Sequence, residues 1–276
     1  LLGAWGRRVP RGRGREGAAL ASVAGFVLQT LLMCGHFFRR GYGLRLARPR
    51  RLGRALGQLL AAGVGSGLLD LGAVFTAVLM NNQIMRYGGP QALAVYGVIA
   101  AVSPLFQAVF GGVGQAVQPL ASANCGAGRW DRVRAFWRLG LGTSLALGAA
   151  FTCLGELFPR AVTRLFISAA PETLALAPGV FRPYFLLFPA LGVTVLSTYF
   201  LQATLQGRRA ALLAVLRSFL TAGPLVLLLP LALGLPGVWL ALPVSECLTA
   251  AAALRMAGGR PGGSLGGKFL DFPKKS

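Results

Sequence analysis

Asp70 and Glu246 are the acidic side chains that this chain places deepest inside long apolar stretches, which makes them the first candidates for chemistry. At a helical rise of about 1.5 Å per residue, Asp70 lies roughly 24 Å from both Arg54 and Arg86. Glu246 is likewise midway between Gly237 and Arg255. An ionised carboxylate at that depth in hydrocarbon is unfavourable by several kcal/mol unless it is paired, solvated, protonated or bound to a cation, so both acids point to cation coupling. Asn81 falls about three helical turns after Asp70 and shares its face, which adds it to the coupling set. Thr76, Gln107, Gln115, Gln202 and Arg217 are polar groups within apolar stretches, and they form the candidate lining of a substrate cavity. Arg217 has a second reading, in which it neutralises Glu246 as a structural ion pair.

Other chemistries lack their residues. The four cysteines, Cys34, Cys125, Cys153 and Cys247, contain no CxxC pair, so neither a metal framework nor a disulfide framework is expected. One histidine, His36, leaves no catalytic triad within the chain. An intramembrane aspartyl protease would need two aspartates in its characteristic setting, whereas the two deep acids here are one Asp and one Glu. The reading is therefore not an enzyme and has no cofactor; the identity of any metal stays open between Na+ and none, with H+ as the other coupling ion. The net charge of +21 raises nucleic acid as a partner, but the basic residues sit between apolar runs without a basic helix face, which argues against it.

These side chains need elements that span a bilayer. The chain is 55% hydrophobic and only 13% charged, with mean hydropathy +0.63, about half the charged share of an ordinary soluble domain. The expected class is an all-α polytopic membrane protein with seven transmembrane helices. Residues 1–16 form an Arg- and Gly-rich remnant without the apolar core of a signal peptide. A first span covers 17–38, a basic loop 39–54, six further spans 55–256, and a Gly-rich tail 257–276. Those six spans are read at about 55–85, 92–120, 139–158, 179–205, 210–233 and 238–256. Loops are expected at 124–138 and 159–178, with helix breaks or cavity lining at Gln107, Gln115 and Pro119. Arg-rich and Arg-poor connections alternate, which predicts the cell (inner) membrane with the N-terminus outside and the C-terminus in the cytoplasm.

Five stretches carry a family resemblance: GREGAALASVAGFVLQTLL, MNNQIMRYGGPQALAVYGV, GVGQAVQPLASANCGAGRWDRVRAFWRLGL, STYFLQATLQGRRAALLAVLRSFLTAGPLVLLLP and LPGVWLALPVSECL. The third joins a glutamine–proline helix to N-x-G-A-G-x-x-x-R-V. Together they resemble the C-terminal half of multidrug and toxic compound extrusion (MATE) transporters. The resemblance implies a twelve-helix fold of two facing lobes, with span one similar to the last helix of the first lobe and the last six spans forming the second. It also implies acids at the positions of Asp70 and Glu246, although Asp70 is shorter than the Glu of many relatives. The implied function is a secondary active multidrug efflux antiporter, here its C-terminal lobe and a fragment, exporting lipophilic or cationic compounds in exchange for H+ or Na+. Its implied partners are small-molecule drugs or toxins, membrane lipid and the missing N-terminal six-helix lobe. The alternatives are a lipid-linked oligosaccharide flippase of the same superfamily and a non-transporting truncated product.

Overall fold

Long apolar helices separated by glycine and proline dominate the computed structural model, which describes residues 14–38, 52–166 and 171–258. The remnant before Gly14, the basic loop from 39 to 51 and the tail from 259 onward lie outside the described residues. The chain divides into two compact units, Leu1–Gln58 and Leu59–Ser276.

The first unit contains α1, Gly14–Phe38. Its leucines, valines and Phe26 between Leu20 and Leu32 are exposed, as expected of a span whose surroundings are lipid or other helices. Thr30 adds no unpaired polarity, because its hydroxyl donates to the Phe26 carbonyl one turn earlier at 2.8 Å.

Helix α2 is assigned as continuous over Leu52–Gly126, yet it contains two spans. The break is at Gly89 (φ 70°, ψ −171°), a conformation essentially reserved for glycine. Pro90 follows, where a missing N–H is tolerated at the start of a new helix. Gly88 lies so close to Ala92 and Leu235 that a Cβ there would approach them at 2.7 and 2.9 Å. The break falls between the spans read at 55–85 and 92–120, whereas the reading of a further helix break near Gln107, Gln115 or Pro119 is corrected: Pro104 and Pro119 sit inside helical backbone that runs on to Gly126.

The expected loop at 124–138 is also corrected. Only Ala127–Arg129 separates α2 from α3, Trp130–Leu157, and Gly128 at φ 71° makes the turn. Arg132, Arg134 and Arg138 consequently stand on a helix rather than in a loop. In place of the expected outer loop at 159–178 the chain forms α4, Pro159–Phe166, and begins α5, Pro171–Phe185. Helix α6, Leu187–Ala203, continues the direction of α5 after a one-residue interruption. Then come α7, Gly207–Val215, a π-helical segment Leu216–Ala222, α8, Gly223–Leu233, and α9, Leu235–Gly258. Counted among the described residues, with α2 divided at Gly89 and α5–α6 and α7–α8 each read as one span, the spans number seven.

Small residues set the closest approach. The buried positions of α3 are Val133, Gly140, Ser144, Gly148 and Gly155, a small-residue stripe that lets backbones meet. A Cβ at Gly148 would stand 2.5 Å from the Pro189 Cα, and one at Gly155 would enter the Phe185 ring. Above this seam Phe106 stacks on Phe151 at 4.2 Å and meets Phe188 edge-on at 5.2 Å, joining α2, α3 and α6. Pro189 cannot donate to the Phe185 carbonyl four residues back, and the hydroxyl of Thr152 on α3 supplies that hydrogen bond at 2.9 Å.

Candidate functional site

The deep polar groups converge where α9 meets the π-helical segment. Arg217 Nε donates to Glu246 Oε1 at 2.6 Å, an ion pair whose side chains are 25% and 9% exposed. Glu246 Oε2 is buried and has no hydrogen-bond partner. Hydroxyls next to the pair in sequence bond to one another and to backbone carbonyls. Thr221, one turn after Arg217, donates to the Arg217 carbonyl at 2.8 Å, and Thr249 donates to the Ser245 carbonyl at 2.8 Å. Those protons being committed, the Ser245 hydroxyl donates to Thr221 Oγ1 at 2.7 Å.

Local structure explains the placement. In the π-helical segment a widened turn replaces ordinary i→i−4 bonding, and Pro224 just beyond it lacks the N–H that would serve Leu220. Such single-turn insertions rotate the side chains that follow and recur at functional sites. On the other side, Gly72 of α2 has no side chain, and a Cβ there would collide with Ser218 of the π-helical segment. Phe75 stacks on Phe219 at 5.3 Å, which fixes this part of α2 against the same turn.

The expected site residues fall into separate places. Glu246 and Arg217 are in direct contact. Thr76 is half-buried on the α2 turn beside the π-helical segment, its hydroxyl donating to the Gly72 carbonyl at 2.9 Å. Asp70 precedes Gly72 by two residues on the same helix, near the middle of Leu52–Gly89, and its side chain lies outside the described residues. Asn81, Gln107, Gln115 and Gln202 are exposed on the surface of the unit. Of these, Gln115 comes near Tyr199 of α6: its amide nitrogen and the tyrosine hydroxyl lie 4.0 and 3.8 Å from the point a Cβ would occupy on Gly111.

Sequence reasoning passed over Ser218, Thr221, Ser245 and Thr249. The available signal was their four-residue spacing, which puts Thr221 one turn from Arg217 and Thr249 one turn from Ser245 beside Glu246. Chemically, the cluster offers one carboxylate oxygen held by a guanidinium and a second open to a proton or a cation. Among the described residues no three His, Cys, Asp or Glu side chains gather as a metal site, so a cation here would be held by hydroxyls and carbonyls beside a single carboxylate.

The fold defines a polytopic α-helical membrane protein with a charged pair at mid-helix depth. The MatE family model matches residues 71–251, more than half of the chain, and the chain belongs to that family. It is 24% identical over 247 residues to the multidrug export protein MepA of Staphylococcus aureus (strain NCTC 8325 / PS 47), which covers 86% of this chain and 52% of that protein. The chain thus spans about half the length of the curated relatives it matches. Its fold is similar to a MOP superfamily transporter from Pyrococcus furiosus (TM-score 0.78, 18% identity, 90% of this chain and 56% of that one). It is also similar to the outward-facing conformation of a multidrug resistance MATE family transporter (TM-score 0.77, 19% identity, 88% and 55%).

Proposed function

We propose that this chain forms the C-terminal lobe of a secondary active multidrug efflux antiporter, which exports lipophilic or cationic compounds in exchange for H+ or Na+. The observation that carries the reading is the buried Glu246 carboxylate, with one oxygen paired to Arg217 and the other unpartnered, on helices matched by the MatE family. A coupling ion arriving at Asp70 or Glu246 neutralises a charge that hydrocarbon disfavours. At Glu246 it weakens the hold of Arg217 on the π-helical turn, which gives α8 and α9 a second packing of similar free energy. A facing N-terminal lobe completes the cavity and is the main protein partner.

Topology follows the same reading. The start of α3, just after the Ala127–Arg129 turn, the end of α6 and the end of α9 come together at one end of the second unit, around a common cavity. Arg129, Arg132, Arg134, Arg138, Arg208, Arg209 and Arg255 belong to that end, with Asp131 as its acid. This distribution supports a cytoplasmic placement of that end and an external N-terminus. A lipid-linked oligosaccharide flippase needs basic side chains within its spans, in the transport cavity, free to hold pyrophosphate. Arg217 is taken by Glu246 and Arg182 meets Glu156 at 3.7 Å, which weighs against it.

The test is dye efflux from cells carrying the chain together with its N-terminal lobe, under sodium and pH gradients imposed separately. Asp70→Asn is expected to abolish drug resistance at unchanged membrane abundance, and Glu246→Gln to uncouple efflux from the driving gradient. Resistance equal to wild type in both variants would overturn the proposal.

A further inference from the structure

At the end of the second unit where α3 begins, α3, α6 and α9 enclose a cavity of about 660 Å³. Helix α3 contributes one face to it. Trp130, Arg134, Trp137 and Arg138 recur at helical spacing and so lie on the same side. Phe200 closes the wall, with its ring 5.8 Å from that of Trp137, and Thr204 and Gln206 complete the polar edge.

The hydrogen-bonding inventory of this lining is one-sided. Gln206 is already engaged at both ends of its amide, its nitrogen donating to Thr204 Oγ1 at 2.9 Å and its oxygen accepting from Arg209 at 2.5 Å. Thr204 donates its proton to the Phe200 carbonyl at 3.0 Å. The indole N–H of Trp137 is buried and has no partner. Among the described residues neither Arg134 nor Arg138 forms an ion pair. What the side chains of the cavity offer a ligand is therefore two guanidinia and an indole N–H, all donors, against an aromatic wall.

We propose that this cavity binds the phosphate headgroup of an anionic membrane lipid. Donors without acceptors select an oxyanion, since a lipophilic cation of the kind the transport pathway would carry finds like charge here. The two tryptophans and Phe200 select an amphiphile over a free ion, because they give its apolar part a surface at the depth where aromatic side chains meet headgroups. The sequence beyond Gly258 is a poor occupant. It carries Arg260, Lys268, Lys274 and Lys275 against Asp271 and repeats the charge of the arginines. Basic pockets between helices at this level suit anionic headgroups. The site is independent of the coupling chemistry at Glu246.

Retention of phosphatidylglycerol against phosphatidylcholine by the purified 276-residue chain, read by native mass spectrometry, tests the assignment. Wild type is expected to prefer phosphatidylglycerol, with the preference falling roughly fivefold for each of Arg134→Gln and Arg138→Gln. Arg129→Gln and Arg132→Gln, on exposed arginines outside the lining, are expected to leave it unchanged. Trp137→Phe keeps the ring, removes the donor and is expected to weaken retention roughly threefold. It also keeps the test alive if an arginine variant fails to fold. Equal retention of the two lipids by wild type, or equal losses in the lining and control variants, would overturn the site. Displacement of the lipid by millimolar inorganic phosphate would overturn the lipid assignment in favour of a soluble anion.

Discussion

The seam between α3 and α6 and the junction between the π-helical segment and α9 are both buried, yet they are built from opposite materials. The first brings backbones together through Gly140, Gly148 and Gly155 and covers them with phenylalanine. The second sets a guanidinium and a hydroxyl on a turn of irregular helical geometry against a carboxylate and two hydroxyls on α9. Close packing is bistable only at a high price in clashes, whereas an ion pair can be undone by one proton or one cation. The contrast suggests a division of labour within the unit: a seam that stays fixed and a junction that can change.

Gly148→Val should break the fixed side most severely. Its Cβ meets the Pro189 backbone rather than a side-chain tip, so the helices must separate. A loss of about 3 kcal/mol or more is expected, seen as collapse of monodisperse protein after detergent extraction and a lower Tm. Near-normal yield of this variant would show that the seam is looser than described.

Arg217→Met should be comparable, at about 3 to 5 kcal/mol, because it leaves the Glu246 carboxylate buried without its cation. Adding Glu246→Leu should restore most of that stability while leaving the proposed transport, assayed with the N-terminal lobe present, abolished, and thermal melts of the two single variants and the double variant give the coupling directly. Independent, additive losses would mean that the pair is not a unit.

Smaller changes sharpen the comparison. Thr221→Val removes the acceptor for Ser245 and should lower stability by about 1 kcal/mol, with a larger effect on the sodium or pH dependence of the proposed efflux, assayed with the N-terminal lobe present, than on folding. Phe106→Leu removes the 4.2 Å stack on Phe151 and should also lower stability by about 1 kcal/mol, but leave that ion dependence unchanged. If the two variants shifted the ion dependence equally, the division between a fixed and a changeable region would fail.

The membrane class, the number of spans and the depth of Asp70 and Glu246 were legible in the chain because hydrocarbon imposes a length and a penalty on charge that need no partner to be felt. The arginine-bearing connections could be located for the same reason, although α3 begins at Trp130 and takes three of those arginines into a helix. Tertiary structure decided what depends on neighbours. It narrowed the break between the spans read at 55–85 and 92–120 to Gly89 and removed a further break at Pro119, because proline distorts a helix whose freed groups can be satisfied nearby, while only glycine adopts φ 70° with ψ −171°. It also turned the alternative roles of Arg217 into a 2.6 Å contact with Glu246, and gathered Arg134, Trp137 and Phe200 around one cavity. Spacing along a helix says which side chains share a face; only the packing of one helix on another says what that face meets.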